Sequence, residues 1–208
     1  MKNYLKDVQY AIQNLIVVVW KEKIELDKLI INKKNLISNL NTNNKVLGFL
    51  TQNPDLDDEG IVNLAYWTTS HSVLPDLEQN EKLIINLKEE IKNKQYSIDL
   101  LSSTILQIAK QGLIRVYNNF ESCPNGRIIK TLSLKDIIWH GRNQGIHFEQ
   151  GQLHSQTETF FNSLLIQFPE KFVDFQNKNM SFNLLEILEW RTFDSFKKDM
   201  FSFDLIQN

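Results

Sequence analysis

At 208 residues, 42% of them hydrophobic, the chain can bury a sizeable core and reads as one domain over 1–208. A formal net charge of −2 excludes a nucleic-acid binder that works through bulk positive charge, so any contact with RNA or DNA has to be local. One cysteine, Cys123, excludes an internal disulfide and a cysteine-rich zinc site; the longest apolar run, Leu15 to Trp20, is far short of a membrane span, and no signal-peptide pattern is visible, so a soluble cytoplasmic protein without membrane contact is expected.

Leu5, Val8, Ile12, Leu15, Val19, Leu26, Leu29 and Leu36 recur at three- and four-residue steps, broken at Glu22 and Lys33, which predicts a long amphipathic helix over 4–40. Lysines from Lys21 to Lys34 alternate with acidic residues, as on a solvated face. Residues 41–79 read as irregular. Within them "TQNPDLDDEG" carries turn chemistry, a short helix is expected over Ile61–Thr68, and Pro75 is expected to end whatever precedes it. Ile84, Leu87, Ile91, Ile98, Leu101, Ile105 and Ile108, with a break at Lys94, predict a second long helix over 80–119. "ESCPNGRIIK" is the next break, with a turn at Asn125-Gly126. Three shorter helices follow, over about 133–150, 155–168 and 181–201, with Pro169 between the last two. The expected fold is all-α: a helical bundle with two long antiparallel helices plus shorter C-terminal helices.

The segment "GRNQGIHFEQ", Gly141 to Gln150, stands out because two glycines sit among clustered polar groups. Ser133 is placed to cap its helix, with Asp136 three residues on. On a wheel of about 100° per residue, His140, Asn143 and His147 fall within roughly 40° of Asp136, so the four share a stripe. Leu134, Ile137, Ile138 and Phe148 lie on the other side with Gly141 and Gly145, so the glycines belong to a buried face that another helix can approach closely. Arg142 lies about 140° from His147, off the stripe unless its long side chain bends back. An arginine and a histidine that converge suit a phosphodiester: the imidazole moves a proton near neutral pH, and the guanidinium holds phosphate oxygens.

Arg142-Asn143-Gln144-Gly145-Ile146-His147 resembles the R-x4-6-H motif of HEPN domains (higher eukaryote and prokaryote nucleotide-binding), in which a polar residue after the arginine is typical of active members. The resemblance covers about ten residues; the helical remainder is compatible with it. It implies an all-helical, metal-independent endoribonuclease of the kind found as toxins of toxin–antitoxin pairs and in anti-phage defence. It also implies a homodimer whose two Arg/His pairs form one RNA cleft, and a cognate antitoxin or other defence-system protein as partner. In that reading His147 is general acid or base, Arg142 stabilises the transition state and Asn143 orients the phosphate or the histidine. His140, Asp136 and Glu149 are candidates for RNA contact or support, and no cofactor or metal is expected. Where AMPylated members of the family carry a tyrosine two residues after the histidine, this chain has Glu149.

Two rival readings belong to other classes: a catalytically silent helical module that binds a protein or a nucleotide, and a purely structural bundle. Asp136, His140 and His147 share a face at spacings compatible with metal ligation, but a polar helix face accounts for them as well. The aromatic-rich end, from Phe160 to Phe203, is expected in the core or at a dimer contact ahead of stacking on bases. Cys123, His71 and His154 have no partner visible in the sequence.

Overall fold

The computed structural model describes residues 1–52 and 67–204. The described chain is all-α apart from one two-stranded ribbon with two residues in each strand. In order, it contains α1 (Lys2–Gln52), a π-helical turn (Thr69–Val73) running into α2 (Leu74–Tyr117), β1 (Ile128–Ile129), β2 (Leu132–Ser133), and α3 (Leu134–His147) with a 3-10 turn at Phe148–Gln150. The four remaining helices are α4 (Ser155–Gln167), α5 (Pro169–Phe172), α6 (Ser181–Leu188) and α7 (Phe193–Ser202). Among the described residues, no helix is long and apolar enough to cross a membrane.

Contacts divide the chain into two compact units, Met1–Lys23 with Tyr96–Asn208, and Ile24–Gln95. The two long helices pack antiparallel; in the first unit the Tyr4 hydroxyl donates to the Ile108 carbonyl at 2.6 Å, and Arg115 pairs with Asp7 at 3.2 Å. Leu5, Ile12, Ile16 and Val19 of α1 are buried there with Ile98, Ile105, Leu106, Ala109 and Leu113 of α2. In the second unit, Glu25 and Lys94 pair at 2.8 Å, joining the middle of one helix to the middle of the other.

Several boundaries differ from the sequence expectation. The first long helix extends past 4–40 at both ends, the second begins at Leu74 rather than 80 and ends at Tyr117 rather than 119, and the "irregular" 41–79 is helical over 41–52 and again over 67–79. The expected turn over 53–60 and most of the short helix at 61–68 lie outside the described residues; Trp67 and Thr68 are helical. Pro75 does not stop the run that reaches it. It sits at the second position of α2, directly after the π turn, where the Leu74 N–H bonds back to the Thr69 carbonyl. That wider turn accommodates a ring that cannot donate a hydrogen bond and would crowd an α-helical turn.

The expected helix 181–201 is two helices. Glu189 adopts the left-handed conformation (φ 57°) and closes α6, and Thr192 opens α7 with a capping box to Ser195. Between them Trp190 is fully buried, and its indole donates to Asp199 at 2.8 Å. Arg127 joins Asp199 from the segment before β1 and also donates to the Leu188 carbonyl at 2.9 Å. This network ties the ribbon to the C-terminal helices. The turn at Asn125-Gly126 is present, with Gly126 at φ +67°. Most of the aromatic-rich end is core, as expected: Phe160, Phe161, Phe172, Phe175, Phe182, Trp190, Phe196 and Phe203 are buried.

Ser133 caps α3 as anticipated, its hydroxyl accepting from the Asp136 N–H at 3.1 Å. Gly141 and Gly145 do lie on the buried face. A methyl at Gly141 would run into Leu184, and one at Gly145 would meet the hydroxyls of Ser181 and Ser103. Those hydroxyls bond each other at 2.8 Å, while Asn179 donates to Ser103 and to the Gly145 carbonyl, each at 3.0 Å. Gln144, fully buried between the glycines' neighbours, donates to the carbonyls of Phe175 and Lys178 and accepts from the Met180 N–H. We predict that Gly145→Ala lowers stability by about 1–2 kcal/mol in urea melts, because overpacking and loss of these bonds outweigh a helix-propensity gain of about 1 kcal/mol. An unchanged or raised midpoint would contradict this packing.

Candidate anion site on the third helix

The polar stripe of α3 is not one cluster. Asp136 accepts a hydrogen bond from Ser133 at 2.6 Å and so stays at the helix start. His140 is half-buried, with Nδ1 3.2 Å from the Thr157 hydroxyl and its ring stacked on Phe160 at 5.0 Å. Burial holds its pKa below the ordinary histidine value; Asp136 opposes that effect and Lys110 adds to it. Glu149 is exposed in the 3-10 turn. Among the described residues, no three histidine, cysteine or acidic side chains converge as a metal site.

Arg142 and Asn143 do come together, and α2 supplies two partners that the motif alone does not name. The Arg142 Nε donates to the Gln107 side-chain carbonyl at 2.5 Å, and its NH1 reaches the Asn143 side-chain carbonyl at 3.4 Å. The same Asn143 oxygen accepts from Lys110 Nζ at 3.0 Å. Arg142 is thus held by Gln107 of α2 and by Asn143, and among the described residues no hydrogen bond joins it to His147. Two half-buried cations converge on one neutral acceptor, and neither has a carboxylate partner among the described residues.

The electrostatic consequence falls on the lysine. Burial, reinforced by the Arg142 guanidinium, brings the Lys110 ammonium down to about 8. An amide oxygen carries only a partial negative charge, so it orients two cations without neutralising them. A phosphate oxygen in the same place would do both, as charge-assisted bonds from lysine and arginine to anions are roughly twice as strong as neutral ones.

His147 ends α3, with backbone angles (φ −110°, ψ 0°) that depart from the helix where the 3-10 turn begins. It is half-buried and makes no hydrogen bond or ion pair to another described residue. Cys123 is buried, and burial pushes its thiol up to about 11 against the pull of Lys135, which leaves it protonated and unreactive. His71 bonds Ser70 at 3.0 Å and lies against Trp67 at 4.2 Å, while His154 precedes α4 without a side-chain cap bond.

Gln107 and Lys110 escaped the sequence reading because they lie on another helix, more than thirty residues away. The faint signal was a polar pair three residues apart within the apolar rhythm around Ile105 and Ile108. Compared with protein-family models, curated proteins and solved structures, the chain matches none.

The lowered lysine makes stability depend on pH. Between about 8 and about 10.4, the ordinary lysine value, the unfolded chain binds a proton that the folded site does not, so this group makes stability rise with pH across that window. Denaturant midpoints measured from pH 7 to 10 should climb more steeply in the parent than in Lys110→Met. Parallel profiles would show that Lys110 is not desolvated beside Arg142.

Proposed function

We propose that this protein is a metal-independent endoribonuclease of HEPN type, acting as a toxin or anti-phage defence effector. The observation that carries this reading is the convergence of Lys110 and Arg142 on Asn143, with no carboxylate partner among the described residues, beside a helix that ends in His147. Two cations held together without an anion match the demand of a phosphodiester, whose charge grows in the transition state. An imidazole that no described residue engages is available for proton transfer.

In this mechanism a ribose 2′-hydroxyl attacks the adjacent phosphorus. His147 of one protomer takes the 2′ proton as the O2′–P bond forms. The same residue in a second copy returns a proton to the 5′-oxygen as the P–O5′ bond breaks. Arg142 and Lys110 bind the non-bridging oxygens, and Asn143 keeps the two cations aligned. The products carry a 2′,3′-cyclic phosphate and a free 5′-hydroxyl. One Arg/His pair per chain is a thin catalytic set, which favours a two-fold dimer with a composite cleft. With Glu149 where AMPylated relatives of this motif carry tyrosine, control falls to a bound antitoxin or another defence-system protein.

Purified protein incubated with mixed tRNA and mRNA in EDTA should yield cyclic-phosphate ends. Arg142→Ala and His147→Ala should each lower the rate at least about 100-fold while remaining folded. Full activity in His147→Ala would end this reading. RNA binding without cleavage by the parent would point instead to a silent binding module.

Asn143→Asp separates stability from function. A carboxylate between Lys110 and Arg142 neutralises both, so the variant should melt higher than the parent yet lose RNA cleavage, because the anion's place is filled. Equal or better cleavage by Asn143→Asp would contradict the role given to this pair.

A further inference from the structure

Beyond the phosphate site, the surface of α3 continues as an alternation of cations and aromatic rings. Lys110 Nζ, while bonded to Asn143, lies 4.0 Å from the centre of the Trp139 ring. The Trp139 and Phe120 rings are 5.0 Å apart. Lys135 Nζ lies 4.5 Å from the Phe120 ring centre and donates to the Cys123 carbonyl at 3.1 Å. All four side chains are half-buried, so each keeps a surface toward solvent. The contacts form one unbroken series from Arg142 and Asn143 through Lys110, Trp139 and Phe120 to Lys135.

We infer that this series is a track for single-stranded RNA, in which unpaired bases next to the bound phosphate stack on Trp139 and Phe120 while Lys110 and Lys135 meet the flanking phosphates. The inference rests on the ribonuclease reading for its phosphate anchor. A tryptophan and a phenylalanine in contact, half-exposed beside a cation pair, are unlike the fully buried aromatic core formed by Phe161, Phe172 and Trp190. The ring faces are met by lysine ammonium groups, which are flexible and strongly hydrated. A base can take such a face, and the displaced ammonium then has a phosphate to move to. Stacking of this kind tolerates any base but requires that it be unpaired, so the track selects single strands over duplexes. It also explains how a chain of net charge −2 can hold RNA: the positive charge is local, gathered where Lys135 and Arg142 of α3 meet Lys110 of α2.

The test is binding to the full-length His147→Ala protein, which holds RNA without cutting it. The probes are a fluorescent 12-nucleotide single strand and the same sequence as a duplex. Trp139→Leu, which keeps an apolar side chain but removes the stacking face, should weaken single-strand binding about tenfold and leave duplex binding unchanged. Trp139→Phe should restore most of the loss. Lys135→Gln should weaken binding and flatten its salt dependence by about one phosphate contact. Single-strand affinity unchanged by both Trp139→Leu and Lys135→Gln, or no preference of the parent for single strands, would overturn the track. If the parent never cleaves RNA while Trp139→Leu still loses single-strand binding, the ribonuclease reading fails and the track stands.

Discussion

The close approach of α3 to its neighbours at Gly141 and Gly145 is the constraint on which the site depends. Side chains at these positions would collide with Leu184, Ser181 and Ser103, so their absence sets the depth at which α3 lies against α2 and α6. Gln144, between the two glycines, then reaches three backbone groups of the 175–180 segment and fixes the rotation of the helix. Depth and rotation together decide what the other face can touch. With α3 so placed, Arg142 meets Gln107 and Asn143 meets Lys110, both from α2. The glycines sacrifice helix propensity in the helix that carries the polar motif, and the fold recovers it through buried hydrogen bonds that a longer side chain would break.

The site itself is held by bonds that leave its charge unanswered. Arg127, Arg115 and Lys171 are each paired with an acid, Asp199, Asp7 and Glu186. Lys110 and Arg142 instead share a neutral oxygen, and the lysine responds with a lowered proton affinity. Two like charges held together, partly out of water, destabilise the fold unless something outside it offsets them. Such a local conflict, set on rigid helices, is what a binding site for an anion looks like in physical terms.

Much of this was legible in the sequence, and the illegible parts share a cause. The apolar rhythm located both long helices, Ser133 with Asp136 marked the start of α3, and the wheel put Gly141 and Gly145 on its buried face. Each is a property of residues close together in the chain. Lys110 and Gln107 could not be found this way, because the register between α2 and α3 is set by packing, which no single-helix periodicity contains. The break at 189–192 was hidden for a different reason. Glu189 takes a left-handed conformation that glycine usually signals, and the Thr192-x-x-Ser195 box lay unread inside a continuous apolar pattern. Around Pro75 a general rule misled: the π turn absorbs the proline that should have ended the helix.

The most direct test of the account is the titration of the Lys110 side chain by NMR, using protein labelled at the lysine Cε and assigned with Lys110→Met, alone and bound to an oligonucleotide with a 2′-deoxy linkage that cannot be cleaved. The account predicts a midpoint near 8 in the free protein and a clear rise on binding, as the phosphate supplies the missing counter-charge. A midpoint at the ordinary lysine value in the free protein, or one that does not move when the oligonucleotide binds, would contradict it.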